Sequence, residues 1–328
     1  MARDGPHAAA ALEALKQIAS NEDIPLAPQA EGIYKELTQT AEDRAVALLT
    51  SAGVQLHDVS RGKVHLARNL YRNSHLALLV NFPDVHMVQA TGPRVTDEGL
   101  ESLSQLRTLY SVQLVQTSVT GAGLRRLRAS PHLTNLTLTA DRLSVDDLRQ
   151  LKHLSRLRSL TLTSLAHEGQ LQFLDDAKQI GHLQLETVRL SREGVDVLNR
   201  HANLRRVGLT LVDAQDEQLR EVSRLNTGLT LTVRGSPDLT DAGWRCLEGA
   251  RIRYLTIIQS RITDTGVASI AKCENLEYLT IYEAPLSDTV LEHLKALPRL
   301  KYLKLEKTQV TKEGLQQLKK ARPTLQIR

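Results

Sequence analysis

The sequence predicts an α/β solenoid, a curved stack of short parallel strands on the concave face and helices on the convex face, with a small, mostly helical N-terminal cap. Three observations lead there. Aliphatic residues recur about every 24 positions, at Leu66, Ala90, Leu114, Leu138, Leu162, Leu185, Leu209, Val233, Ile257, Ile281 and Leu305. Aromatic residues make up only 3% of the chain against 41% hydrophobic, which suits layers where each aliphatic meets a copy of itself better than an irregular globule filled by Phe and Trp. Finally, 328 residues are too many for one ordinary compact core, so the chain must divide or extend by repetition.

Each coil starts with a strand. Further aliphatics precede the recurring one to give L-x-x-L-x-L segments, such as Leu133, Leu136, Leu138, then Leu276, Leu279, Ile281, then Leu300, Leu303, Leu305. Alternation of this kind marks a short strand. A turn and a helix start follow, as VTDEGL from Val95, VTGAGL from Val119, ITDTGV from Ile262 and VTKEGL from Val310. The hydroxyls of Thr96, Thr120, Ser144, Ser191, Thr240, Thr263, Ser287 and Thr311 stand where a helix N-terminus needs an acceptor. Asp97, Asp241, Asp264 and Asp288 then favour the positive end of the helix dipole. These Thr-Asp pairs read as caps rather than as metal or catalytic groups, because carboxylates spread one per coil have no convergent partners.

The V-T-D-x-G-L segments resemble those of bacterial leucine-rich repeats with that signature, which are similar to the repeats behind F-boxes in eukaryotic ubiquitin-ligase receptors. The resemblance covers roughly Ser60 to Arg328 and implies a leucine-rich-repeat horseshoe over 60–328, with about eleven coils of about 24 residues. It also implies an alternative role as the substrate-receptor subunit of a ubiquitin-ligase-like complex, although no F-box-like adaptor sequence accompanies the repeats. A scaffold of this kind fixes a surface, not a ligand.

Ahead of the repeats, residues 1–59 form a helical N-terminal segment and cap. Helices are expected at Ala8 to Ala19, Ile33 to Thr38 and Glu42 to Ser51, with a proline-containing linker from Ile24 to Gln29. Strands at Val54 to Leu56 and Val64 to Leu66 would cover the first hydrophobic layer, and Leu325 with Ile327 would close the other end. Register irregularities are expected at Ser164 to Gln170, where His167 takes an apolar slot, and at the turns around Pro93 and Pro237. Asparagine ladders are absent, and Thr117, Ser260 and Thr308 stand at the matching turn, where hydroxyls would serve the backbone.

No apolar run is long enough to span a bilayer, and the N-terminus is alanine-rich with Asp4 and Glu13 rather than basic and then apolar. Two cysteines, Cys246 and Cys273, lie far from any C-x-x-C spacing. Both features lead to the expectation of a cytoplasmic protein without membrane attachment. The eleven histidines are scattered, and His132, His153, His201 and His293 read as solvated turn and helix-end positions with neither metal spacing nor a nucleophile. With no phosphate-cradling glycine loop either, the chain reads as a non-enzyme with no cofactor and no metal.

Function therefore rests on the strand residues that face the concave side. Asn135, Thr137, Thr139, Ser159, Thr161, Thr163, Thr210, Thr230 and Thr232 make a flat hydroxyl floor. The last coils differ: Tyr254, Tyr278 and Tyr302 hold one slot in successive coils, beside Ile258, Tyr282, Lys304 and Glu306. Stacked tyrosines offer rigid area with a polar tip, as interface hot spots do, so these seven residues are the candidate partner-binding site of a protein-interaction scaffold. A weaker candidate joins Lys63, His65, Met87 and Gln89. The rival reading is binding of nucleic acid or an anionic surface, from the net charge of +5 and basic clusters at Arg125, Arg126, Arg128, at Arg156, Arg158, at Arg205, Arg206 and at Lys319, Lys320, Arg322. Those clusters fall mainly on convex helices and turns, with only Arg189, Arg206 and Arg234 near the strand rows.

Overall fold

The computed structural model describes residues 6–20, 25–38, 40–57, 66–82 and 84–328. Among the described residues, thirteen strands form one open sheet in chain order: β1 (Gln55–His57), β2 (Leu66–Leu70), β3 (Met87–Thr91), β4 (Ser111–Val115), β5 (Asn135–Thr139), β6 (Ser159–Thr163), β7 (His182–Glu186), β8 (Arg206–Val212), β9 (Gly228–Ser236), β10 (Ile252–Ser260), β11 (Tyr278–Tyr282), β12 (Tyr302–Glu306) and β13 (Gln326–Ile327). β1 runs antiparallel to β2, and every later pair is parallel. Parallel neighbours need a crossover, and here each is a short helix or 3-10 segment on the far side of the sheet. The fold is the leucine-rich-repeat solenoid that the sequence predicts.

The core is one continuous, mainly aliphatic stack from Ala45 to Leu325, with Phe82, Phe173 and Trp244 as its large aromatic members. Alternation along the strands explains it: Leu136 and Leu138, Leu160 and Leu162, Leu279 and Ile281 point inward and pair in register with the same positions of adjacent strands. The turn after the strand is as regular. Gln116, Ser164, Thr187, Asp213, Gln259, Glu283 and Lys307 all adopt positive φ two residues beyond the last inward aliphatic, and Gly92 and Gly235 fill that slot in their coils.

Two members of the expected aliphatic column are misplaced. In the first coil Leu70 pairs with Ala90, across an irregularity that leaves Leu66 opposite Met87. The antiparallel pairing with β1 takes up Leu66, which faces His57. In the eighth coil Leu209 pairs with Leu231 and Leu211 with Val233, so Leu211 holds the position before the turn. β8, β9 and β10 are longer than the five-residue strands before them. A slip of two residues leaves the same side chains facing inward, so the hydrophobic pattern does not register it.

The N-terminal helices are α1 (Pro6–Ala19), α2 (Ala27–Thr38) and α3 (Ala41–Ser51). α2 begins within the expected linker, because Pro28 falls in its first turn where a missing N–H costs nothing. α3 starts at a Thr40/Asp43 capping box and sends Ala45 and Leu49 into the solenoid core. α1 and α2 pack on each other, and the buried Ala27 and Ala30 lie outside that core. Of the expected strand Val64 to Leu66, Val64 and His65 lie outside the described residues, and β1 begins at Gln55.

The irregular coil appears where expected, as a 3-10 segment, Glu168–Asp175. Buried Gln170 organises it: its amide donates to Ala140 O at 2.8 Å and Leu143 O at 2.5 Å, and its carbonyl accepts from Ala166 N at 2.8 Å and His167 N at 3.2 Å. Of the expected turn hydroxyls, Ser260 Oγ accepts from Ile262 N at 3.3 Å and Thr308 Oγ1 from Val310 N at 3.4 Å. Ser236 Oγ, which the sequence reading did not single out, accepts from Ala214 N at 2.9 Å.

Candidate functional site

On the concave side, parallel register turns each strand position into a row across the sheet. One row runs Gln184, Gly208, Thr230, Tyr254, Tyr278, Tyr302, and the next runs Thr210, Thr232, Thr256, Thr280, Lys304. A third contains Arg234, Ile258, Tyr282 and Glu306. The seven predicted residues thus share one surface on β10, β11 and β12. Small threonines form its floor, the tyrosine row stands on one side and Ile258 with Tyr282 on the other.

The tyrosines stack without closing off. Tyr254 and Tyr278 lie with centroids 4.6 Å apart and planes within 11°, while Tyr302 tilts by 31° at 6.0 Å from Tyr278. All three remain half-buried, as do Ile258 and Tyr282. Cations frame the patch: the Arg253 guanidinium sits 5.4 Å from the Tyr254 centroid and Lys307 Nζ 4.7 Å from that of Tyr282. Glu277 holds Arg253 Nε at 2.8 Å and Lys301 Nζ at 2.7 Å. Those two cations keep the Glu277 carboxyl below its ordinary pKa, with Lys301 the larger influence. Lys304 and Glu306 pair with each other at 3.1 Å, and Lys307 Nζ lies 3.8 Å from Glu283.

Sequence reasoning did not find Arg253, Glu277, Lys301 and Lys307, because each lies just outside the alternating strand pattern. Of the weaker N-terminal candidate, Met87 and Gln89 are half-buried on the outward side of β3, and Lys63 and His65 lie outside the described residues.

Of the expected hydroxyl caps, Thr120, Ser144, Ser191, Thr240, Thr263 and Thr311 accept from a backbone N–H of their own helix. Thr96 makes no such bond and accepts from Asn73 Nδ2 instead, and at Ser287 the N-cap position falls one residue later, on Asp288. The carboxylates of these segments do a second job. Asp241 Oδ1 accepts from Thr263 N at 3.1 Å and its other oxygen from the Thr263 hydroxyl at 2.5 Å, one coil away. The same clamp joins Asp97 to Thr120, Asp216 to Thr240, Asp264 to Ser287 and Asp288 to Thr311. Glu168 takes the role toward Ser191 in the irregular coil. This explains the glycine of the motif: a Cβ on Gly266 would come within 2.5 Å of Asp241 Oδ1. The carboxylate therefore belongs to coil-to-coil packing, and among the described residues no group of His, Cys, Asp and Glu could hold a metal ion.

Among the histidines, His201 departs from its expected solvated place. It is buried at the end of a convex helix, with Nε2 3.2 Å from Ala177 O. Cys273 is buried too, 3.0 Å from Leu247 O, and burial pushes its thiol up to about 11. Among the described residues no helix is long and apolar enough to cross a membrane.

Fold and surface together define a leucine-rich-repeat solenoid with an aromatic concave patch near its C-terminal end. No family model and no curated protein matches the chain. Among solved structures, an internalin (inlF) from Listeria monocytogenes is similar at 17% identity and a TM-score of 0.43, over 87% of this chain and 87% of that one. A TLR13–ssRNA13 complex is similar at 12% identity and a TM-score of 0.44, over 76% of this chain and 48% of that one.

Proposed function

We propose that the protein is a non-catalytic, cytoplasmic interaction scaffold that holds a protein partner on its concave face, through Tyr254, Ile258, Tyr278, Tyr282, Tyr302, Lys304 and Glu306. The observation that carries this reading is the tyrosine row itself: three large side chains in register, stacked yet half-buried, on a face whose neighbouring coils present small hydroxyl residues. Stacking pre-orders the rings and lowers the entropy lost on docking. A ladder serving the sheet alone would not need Ile258 and Tyr282 raised across a threonine floor.

The test is affinity capture from lysate with the intact protein and with a Tyr254→Ala, Tyr278→Ala, Tyr302→Ala variant whose circular dichroism matches. A protein retained by the intact chain and lost by the folded variant supports the reading. Equal retention by both, or no specific protein at all, overturns it.

A further inference from the structure

The rim where each convex element hands the chain back to the next strand carries a basic cleft of about 490 Å³, spanning β6 to β8 and bounded by Arg158, Lys178, His182, Asn203 and Arg205. Its floor is fixed. Arg158 donates to the carbonyls of Ser155, Leu157 and Gln179 at 2.9, 3.0 and 3.4 Å, and Asn203 Nδ2 donates to Lys178 O at 2.7 Å. Backbone bonds from Gly181 and His182 to Arg158 O, and from Arg205 and Arg206 to Gly181 O, lock the three turns together.

The arms above this floor are uncommitted. Lys178, Arg205 and Arg206 are exposed and form no ion pair among the described residues, while the neighbouring carboxylates are spent elsewhere, Asp176 on Arg149 at 3.3 Å and Asp175 on Arg200 at 4.0 Å. His182 registers the resulting field: its pKa is lowered first by partial burial and then by the charges of Arg206 and Arg205. A second cleft of about 500 Å³ farther along the rim differs in carrying a carboxylate, Glu277, which binds Arg253 and Lys301. Several unpaired cations converging on a fixed floor repel one another, and an anionic ligand relieves that repulsion.

We propose that this cleft binds an acidic peptide segment, at a site separate from the tyrosine patch and independent of it. Its chemistry favours peptide over nucleic acid. No Phe, Tyr or Trp ring lines it, whereas single-stranded nucleic acid is held largely by stacking on such rings.

Fluorescence anisotropy with labelled hexaglutamate, hexaserine and a short oligouridine RNA tests this on the full chain. Three proteins are compared: the native one, a Lys178→Glu, Arg205→Glu, Arg206→Glu variant, and a control with the same charge change on the opposite rim, Arg94→Glu, Arg142→Glu, Arg261→Glu. All six positions are exposed, and matching urea midpoints establish folding. The expected result is salt-sensitive binding of hexaglutamate but not hexaserine, weakened about tenfold or more by the cleft variant and about twofold at most by the control. Equal loss in both variants, hexaglutamate binding no better than hexaserine, or oligouridine binding about tenfold tighter than hexaglutamate would each overturn the proposal.

Discussion

Each letter of the repeated T-D-x-G segment has a separate physical task. The threonine caps its own helix, the aspartate clamps the next coil, and the glycine leaves room for the aspartate of the coil before. Gly266→Ala therefore sets a methyl against Asp241 and Ile262, and the expected cost is about 1–3 kcal/mol by urea denaturation. In the Asp241→Ala background part of that cost should vanish, because half of the clash has gone. The clamp also makes stability depend on pH. Asp288 is held below its ordinary pKa by the Thr311 hydroxyl and then by the Thr311 N–H. A depressed folded pKa contributes stability above the unfolded value and loses it as pH falls below about 4. The acid limb of a stability-against-pH curve should therefore be shallower for Asp288→Asn than for the native protein, and an unchanged limb would remove the clamp from the account. The cap was legible in the sequence, since a hydroxyl before a helix needs only local reasoning. The clamp was not, because its partner sits 23 residues along and the need is shared between two coils.

At the level of elements, strands and turns followed from alternation and spacing, as Leu136/Leu138 and Leu279/Ile281 illustrate. The slip at β8 did not, since Leu209 and Leu211 are both aliphatic and both inward, and only the positive φ of Asp213 marks where the strand ends. The irregular coil shows another limit. His167 signalled a break, but the agent is Gln170, a polar residue buried at 1% exposure and satisfied at every amide atom. Gln170→Leu strips partners from the carbonyls of Ala140 and Leu143, and a loss of about 2–4 kcal/mol is expected, with faster amide hydrogen exchange confined to the coils on either side. Uniform faster exchange along the whole chain would contradict so local a role.

Across the whole molecule, stability is expected to run from coil to coil, because each layer touches only its neighbours. Leu49 is part of that stack, whereas α1 and α2 pack on each other. We propose that α3 and β1 are the working cap, so removing residues 1–39 should leave the main unfolding transition in place, while Leu49→Ala should cost about 2–5 kcal/mol. The concave patch was legible as a column of tyrosines, since a fixed repeat converts sequence spacing into adjacency. Its electrostatic frame was not, since Glu277 reaches Arg253 and Lys301 from loop positions whose side-chain direction no periodicity dictates.

The measurement that bears most directly on the concave tyrosine row is hydrogen exchange and side-chain footprinting of the protein alone and with its captured partner. Protection concentrated on 252–306, with the tyrosine hydroxyls shielded from labelling, is the result the account requires. Protection on the convex helices or the N-terminal segment, with Tyr254, Tyr278 and Tyr302 labelled equally in both states, would contradict it.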